Sequence, residues 1–300
     1  MSTAAPGQGL RLTLLGTGCP QVDPARMGPA ALVRGSGRQI LFDCGSGVTQ
    51  RLVQAGTNGA AIDALFLTHL HSDHVVDFHQ LLVSSWHQGR SRPWKLFGPP
   101  GTIGFVERSA ALWKPELDLR IAHEQRPNES GLEVTVTEFA DGQCFRGGGI
   151  TVTAVKVNHD PFPEAYGFVV EQDHLRLVLS GDTVVWPPLI AAARGADLLL
   201  HEVFIRRELR PDPDHRPQET IDRVASYHTL SAEVGRVAAE ADVGLLVLTH
   251  FVPTRFDPDA LVAEVRAHWG GPLVLGEDLM TFDLASRTLS FAGATVAFGA

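Results

Sequence analysis

Cysteine is scarce in this chain of 300 residues: Cys19, Cys44 and Cys144 are the only three, odd in number and far apart. No C-x-x-C pair occurs, so neither a disulfide framework nor a thiolate metal site is expected, and free thiols in a reducing compartment are. Residues 1–14 lack a basic segment followed by a long apolar one, so no signal peptide is expected. No apolar run approaches the ~18 residues that cross a bilayer. The expectation is a cytoplasmic protein without membrane contact; a periplasmic or secreted location stays open for a chain whose leader has been removed. Positive charge is also short. A formal net charge of −9 argues against broad, sequence-independent nucleic-acid binding, while leaving room for a local basic channel. Neither G-x-G-x-x-G nor a P-loop lysine is present, so the glycine-rich turn at 43–47 carries no nucleotide signature. Low-complexity segments, linkers and short repeats are missing. With 44% hydrophobic and 20% charged residues, the expectation is a single domain over 1–300 with a sizeable core.

What the chain does have is histidine, thirteen in all. The densest stretch is Leu65-Phe66-Leu67-Thr68-His69-Leu70-His71-Ser72-Asp73-His74, where an apolar strand runs into a turn. Four metal-capable side chains follow within six residues. His69 and His71 can point at one cation while Asp73 and His74 point at another. Neutral imidazole and carboxylate suit Zn, Mn, Fe or Co without any thiolate.

Further strands repeat this logic. The alternation at 150–155 delivers His159, the run at 175–179 delivers Asp182, the run at 197–200 delivers His201 and Glu202, and the run at 245–248 delivers His250. Side chains at strand ends are held rigidly, as a metal cluster requires. Three His for one cation, Asp73 and two His for the other, and a shared Asp182 make a complete set; a bridging carboxylate offsets the repulsion between two dications. His228, ahead of a Ser231 cap on the helical pattern that follows, is the candidate catalytic His outside the ligand set. Glu202 is placed to orient it. His79, His87, His123, His174, His201, His215 and His268 read as surface or packing residues. Helices are expected over 48–55, 75–86 and 103–113, the last burying Phe105, Ala110 and Trp113. Asp257-Pro258 opens another. The stretch 203–227, with five arginines and five acids, reads as a loop or cap over the site.

Together these motifs resemble the metallo-β-lactamase superfamily, and within it the branch of ribonuclease Z and the AtsA-type zinc arylsulfatases. The matching pieces are Leu15-Gly16-Thr17-Gly18, Phe42-Asp43-Cys44-Gly45, His69-x-His71-x-Asp73-His74, His159, Ser180-Gly181-Asp182-Thr183, His201-Glu202, His228 and His250, in the family's order along nearly the whole chain. The resemblance implies an α/β fold, the αββα sandwich, with a dinuclear site at the sheet edge. It implies two Zn2+, with Mn2+ or Fe2+ as alternatives: His69, His71 and His159 on the first, Asp73, His74 and His250 on the second, Asp182 between. His228 would act near the scissile bond with Glu202 in support, and a homodimer is expected. Two departures stand out. Ribonuclease Z proteins commonly carry a long tRNA-binding arm between the segments matching His159 and Asp182, where this chain has 22 residues, enough for a strand pair. Asp77 stands where such sequences often have Gly, and its acid is expected near the site mouth.

On the missing arm and the negative charge, the expected activity is hydrolysis of a sulfate or phosphate ester, arylsulfatase- or phosphodiesterase-like, on a small molecule. Nucleic acid is allowed as a partner but not favoured. Asp73 would orient the attacking hydroxide or take its proton, and His228 would serve the developing oxygens or the leaving group. A tRNA 3′-processing endoribonuclease is the alternative, and a lactonase or β-lactamase-like hydrolase a third. A noncatalytic metal-binding protein is the reading from outside the enzymes.

Overall fold

The computed structural model describes residues 9–126 and 128–298. The chain first lays down β1 (Arg11–Gly16), β2 (Ala30–Gly35), β3 (Arg38–Phe42), β4 (Ala64–Phe66), β5 (Trp94–Gly98) and β6 (Val134–Glu138). It then builds a second sheet from β7 (Cys144–Gly147), β8 (Ile150–Lys156), β9 (Tyr166–Gln172), β10 (Leu175–Leu179), β11 (Leu198–Phe204), β12 (Leu246–Val252) and β13 (Leu273–Leu275). Finally β14 (Thr281–Asp283), β15 (Thr288–Phe291) and β16 (Ala294–Ala297) return to the first sheet beside β1. Its order is β16-β15-β14-β1-β2-β3-β4-β5-β6; the other sheet runs β13-β12-β11-β10-β9-β8-β7. The expected hairpin between β2 and β3 is present. Gly35 pairs with Arg38 around Ser36 and Gly37, both at positive φ, the left-handed pair that a two-residue hairpin turn needs.

Side-chain alternation stacks the layers. Leu12, Leu14, Phe42 and Phe66 from one sheet meet Phe168, Leu177, Leu200 and Val247 from the other in the central core. Their neighbours Leu199, Leu246 and Leu248 point outward. A one-residue slip in any strand would exchange these faces, so the pattern fixes register. Helices cover both outer faces. The first sheet packs on α1 (Val48–Gln54), α3 (Phe78–His87) and the start of α4 (Thr102–Glu124), with the short α2 (Ser72–Val75) leading into α3. The second packs on α5 (Pro187–Ala193), α7 (Ser231–Ala241) and α8 (Pro258–Arg266). The result is a mixed α/β metallo-β-lactamase-like sandwich. No helix among the described residues is long and apolar enough to cross a membrane.

Several local expectations change. The helix expected over 103–113 runs on to Glu124, and of its three core candidates Ala110 and Trp113 are exposed, Trp113 stacking on His79. Ser231 is not the cap of α7. Leu230 occupies that position, and the Ser231 hydroxyl bonds the Glu264 carboxylate instead. Asp257 does cap α8, accepting from the amides of Asp259 and Ala260. Asp77 does not serve the site mouth: its carboxylate accepts the Gly47 N–H at 2.8 Å, tying down the start of α1. The stretch 203–227 is more ordered than a loop, with α6 (Gln218–Ala225) inside it.

Candidate metal centre

The parallel strands β3, β4, β5 and β6 run side by side, as do β10, β11, β12 and β13. The His and Asp residues gather at or beyond the carboxyl ends of β4, β8 and β10, where open sheets leave a crevice. β12 contributes from within: His250 lies inside the strand at φ 45°, beside a register shift between β11 and β12. Thr68 and Asp43 lock the turn after β4. Asp43 accepts the Thr68 N–H at 2.8 Å and the Thr68 hydroxyl at 2.9 Å. Gly181 precedes Asp182 at φ 58°, where a Cβ would sit 2.4 Å from the Tyr166 carbonyl, so only glycine lets β10 turn there.

His69, His71, His159 and Asp182 form one group whose donor atoms lie within 4.8 Å of one another; Asp73, His74 and His250 form a second. Asp182 joins them. Its Oδ2 is 4.0 Å from Nε2 of His69, 3.9 Å from that of His159, and 3.4 Å from those of His74 and His250. Asp73 Oδ2 lies 3.7 Å from His74 Nε2 and 3.3 Å from His250 Nε2, and His71 Nδ1 is 3.3 Å from His159 Nε2. All seven side chains named from the sequence converge.

The imidazole tautomers fit a cation. The Thr68 hydroxyl gives its proton to Asp43, so it accepts from His69 Nδ1 at 3.0 Å. His74 Nδ1 donates to Asp43 Oδ2 at 2.8 Å, and His159 Nδ1 donates to the Tyr227 carbonyl at 2.8 Å. With Nδ1 committed, each Nε2 can turn a lone pair toward Asp182. The Nε2 atoms of His69 and His74 are buried without a hydrogen-bond partner. Such orphans call for an ion or another unseen partner. The cluster can therefore hold one or more divalent cations.

Electrostatics agree. Burial, with neighbouring imidazoles, pushes His69 well below the usual imidazole range and His71 down to about 4; burial also lowers His159. All three offer neutral nitrogen. Burial opposes charge on His74 too, but Asp182, Asp43 and Asp73 hold its pKa well above the ordinary value. Burial would raise Asp182, yet His250 and His74 keep it well below the carboxylate range, and Asp73 is lowered in the same way against its own burial. Both stay ionised.

His228 stands beside the cluster, one ring nitrogen within 4.8 Å of donor atoms of Asp182 and His250. Its Nδ1 donates to Glu202 Oε1 at 3.0 Å, and the same oxygen accepts the amides of Thr183 and Thr229. Burial works against protonation of His228, but Glu202 raises its pKa. His201 and Glu202 lie inside β11 rather than after it, because pairing with β12 continues to Phe204.

A cleft of about 490 Å³ opens from His71, Asp73, Asp182, His228 and His250, and its far wall is the 203–227 segment. Leu209, Arg216, Ile221, Val224 and Tyr227 line it, so that segment does cover the site. His215, expected on the surface, is exposed yet stands at this mouth. Phe162 was not singled out from the sequence at all. Its ring meets His71 at 3.7 Å between centroids, and its one signal was a place three residues after His159.

Comparison with known proteins follows the same lines. The Beta-lactamase superfamily domain matches residues 38–251. A ribonuclease Z from Mycobacterium marinum is 36% identical over 283 residues, covering 93% of this chain and all of the relative. Among solved structures, human tRNase Z, short form, superposes with a TM-score of 0.67 at 25% identity, over 91% of this chain and 99% of that one. The metallo-β-lactamase fold protein YhfI from Bacillus subtilis gives 0.70 at 21% identity over 91% and 99%, a likeness of fold alone. The relatives overturn the expected small-molecule sulfate or phosphate ester, and with it the preference against nucleic acid. Two inferences failed. Net charge sums the whole surface, whereas a phosphate in the cleft responds to charges within a screening length of about 8 Å. The short span between His159 and Asp182 is the β9–β10 hairpin, which excludes an arm only at that place.

Proposed function

We propose an activity from one premise: the chain belongs to the metallo-β-lactamase superfamily and, within it, to the ribonuclease Z family. It is a metal-dependent hydrolase, and we infer that its substrate is precursor tRNA, cut at the 3′ end by phosphodiester hydrolysis. The observation that supports this most is the match to ribonuclease Z over 93% of this chain together with two His/Asp groups that meet at Asp182.

In this reading His69, His71 and His159 hold one divalent cation, Asp73, His74 and His250 the other, and Asp182 faces both. Zn2+ suits the donor set, with Mn2+ and Fe2+ as alternatives. When bound, such ions polarise a phosphoryl oxygen and make solvent acidic enough to yield a nucleophile near neutral pH. The protein supplies the rest. Asp43, Thr68 and the Tyr227 carbonyl fix three imidazoles in the tautomer that leaves Nε2 free. Asp73, ionised at the cleft floor, orients the attacking oxygen or takes its proton. Glu202 fixes His228 with its Nδ1 protonated, so that the ring can donate to the scissile phosphate or to the departing oxygen. Arg216 lines the cleft without an acidic partner among the described residues and is available to an incoming phosphate.

The experiment is direct. Metal-loaded protein is incubated with precursor tRNA bearing a 3′ trailer, and with an aryl sulfate in parallel. Release of the trailer with no aryl sulfate turnover is expected. Intact precursor after incubation with zinc- and manganese-loaded protein would remove the assignment.

A further inference from the structure

Strands β3, β4, β5 and β8 all point their carboxyl ends toward the His cluster, so their amino ends lie together at the opposite end of the sandwich. A second cavity, of about 210 Å³, opens there between the sheets. Its inner wall is apolar: Ile40, Phe66, Phe97, Phe145, Ile150 and Val152. The rings form a connected cluster, Phe66 stacked on Phe97 at 4.6 Å and Phe97 tilted against Phe145 at 4.4 Å. Four cations, Arg38, Arg92, Lys95 and Arg146, surround the mouth with one acid, Asp63.

The charges do not balance. Arg38 and Arg92 share a single oxygen of Asp63, at 3.2 and 3.1 Å, and its other oxygen accepts the Gln39 N–H at 2.9 Å. Lys95 and Arg146 have no ion pair among the described residues. In a chain of net charge −9, four cations gathered on one carboxylate repel one another unless an anion joins them. A binding pocket has this layout: an apolar interior for bulk and a few convergent polar groups for orientation. An apolar cavity of roughly 150 Å³ already takes a benzene ring, so this one has room for a single ring or a short acyl chain.

We propose that this mouth binds an amphipathic anion, with its acyl or aromatic body among Phe66, Phe97 and Phe145 and its carboxylate or phosphate head between Lys95 and Arg146. The site stands apart from the metal cluster and does not depend on the activity assigned there.

Isothermal titration calorimetry of the full chain tests it with four probes: octanoate, octan-1-ol, inorganic phosphate and a single-stranded oligouridylate. Octanoate is expected to saturate one site, at least about tenfold more tightly than octanol or phosphate, because each lacks half of the recognition. Lys95→Glu with Arg146→Glu, both on exposed side chains, should weaken octanoate at least about tenfold and leave octanol unchanged. Ala64→Leu, which narrows the cavity floor, should weaken octanoate and octanol together. Equal binding of octanoate and octanol, or octanoate binding untouched by the charge reversal, overturns the proposal. So does oligouridylate binding, or precursor-tRNA cleavage, that falls with the charge reversal while octanoate does not bind; the basic mouth would then be a phosphate-backbone contact.

Discussion

Asp43→Asn tests the site through a residue that touches no cation. Asp43 is buried, with φ 59°, a conformation that Asn adopts at least as readily as Asp, so the backbone has no reason to move. The carboxylate accepts three hydrogen bonds: Oδ1 from the Thr68 N–H, Oδ2 from the Thr68 hydroxyl and from His74 Nδ1. An amide can satisfy one side only. With its oxygen toward His74, its NH2 faces the Thr68 N–H, donor against donor. Flipped, the NH2 faces His74 Nδ1, and that imidazole must move its proton to Nε2, the atom meant for the cation. Either arrangement leaves a buried polar group unsatisfied, at a cost of about 1–3 kcal/mol.

Removing the partner that orients a metal-binding imidazole lowers affinity by about 10- to 100-fold, which is about 1.4–2.7 kcal/mol. The cation served by His74 should suffer most, and the one served by His69 less, because His69 feels the change only through the Thr68 hydroxyl. Titration with zinc followed by calorimetry and metal analysis should therefore show one binding event weakened by that factor and the other by less. Cleavage at limiting metal should fall in step and return when metal is raised. Two unchanged binding events in a variant of wild-type stability would refute the role given to Asp43 and the tautomer argument with it.

Four other outcomes are expected. His228→Ala should lower the rate of trailer release by about 10²- to 10⁴-fold with metal content intact; wild-type turnover would place His228 outside the chemistry. Arg216→Ala should weaken precursor tRNA and reduce the slope of log affinity against log salt by about one, so an unchanged slope means that Arg216 meets no phosphate. Because Asp182, Asp43 and Asp73 hold the pKa of His74 well above the ordinary value while burial keeps His69 and His71 low, cation binding should displace a proton from His74 and tighten as pH rises toward that raised pKa. Calorimetry in buffers of different protonation enthalpy measures this, and no buffer dependence contradicts it. Phe168, fully buried against Phe42, Phe66 and Phe139, should cost about 3–5 kcal/mol when truncated to Ala; a urea midpoint that barely moves would mean that the inter-sheet core collapses around the hole.

The metal cluster was legible because its information is local. His69 to His74 is a spacing, and His159 and Asp182 each follow an apolar strand within a few residues. Where strands do not stop at the first polar residue, the reading was short. β11 and β12 continue through His201-Glu202 and Thr249-His250, because Val203, Phe204, Phe251 and Val252 resume the apolar pattern. Helix α4 was cut short for a related reason. Beyond Val106 it buries almost nothing, so no apolar stripe marks it, and exposed pairs such as Lys114–Asp118 and Arg120–Glu116 support it instead. Asp77 and Ser231 show the limit from the other side. A departure from the family's pattern put Asp77 at the site and residue type put Ser231 at a cap, and each turned out to be spent on a partner distant in sequence.

The same bookkeeping explains why charge misled about substrate. Many of the acids behind the value of −9 are not presented to an incoming polyanion. Asp43 and Glu202 serve imidazoles, Asp23 serves Arg255, and Asp278 serves Arg51 along with the amides of Thr17 and Met27. Asp73 and Asp182 converge on the place where two dications would offset four of the nine negative charges. At the mouth above them stands Arg216, with no acid of its own among the described residues. For a site at the end of a sandwich, what an approaching phosphate feels is set by which charges are left over after the interior has paired its own. That remainder can be counted only once the strands have brought the partners together.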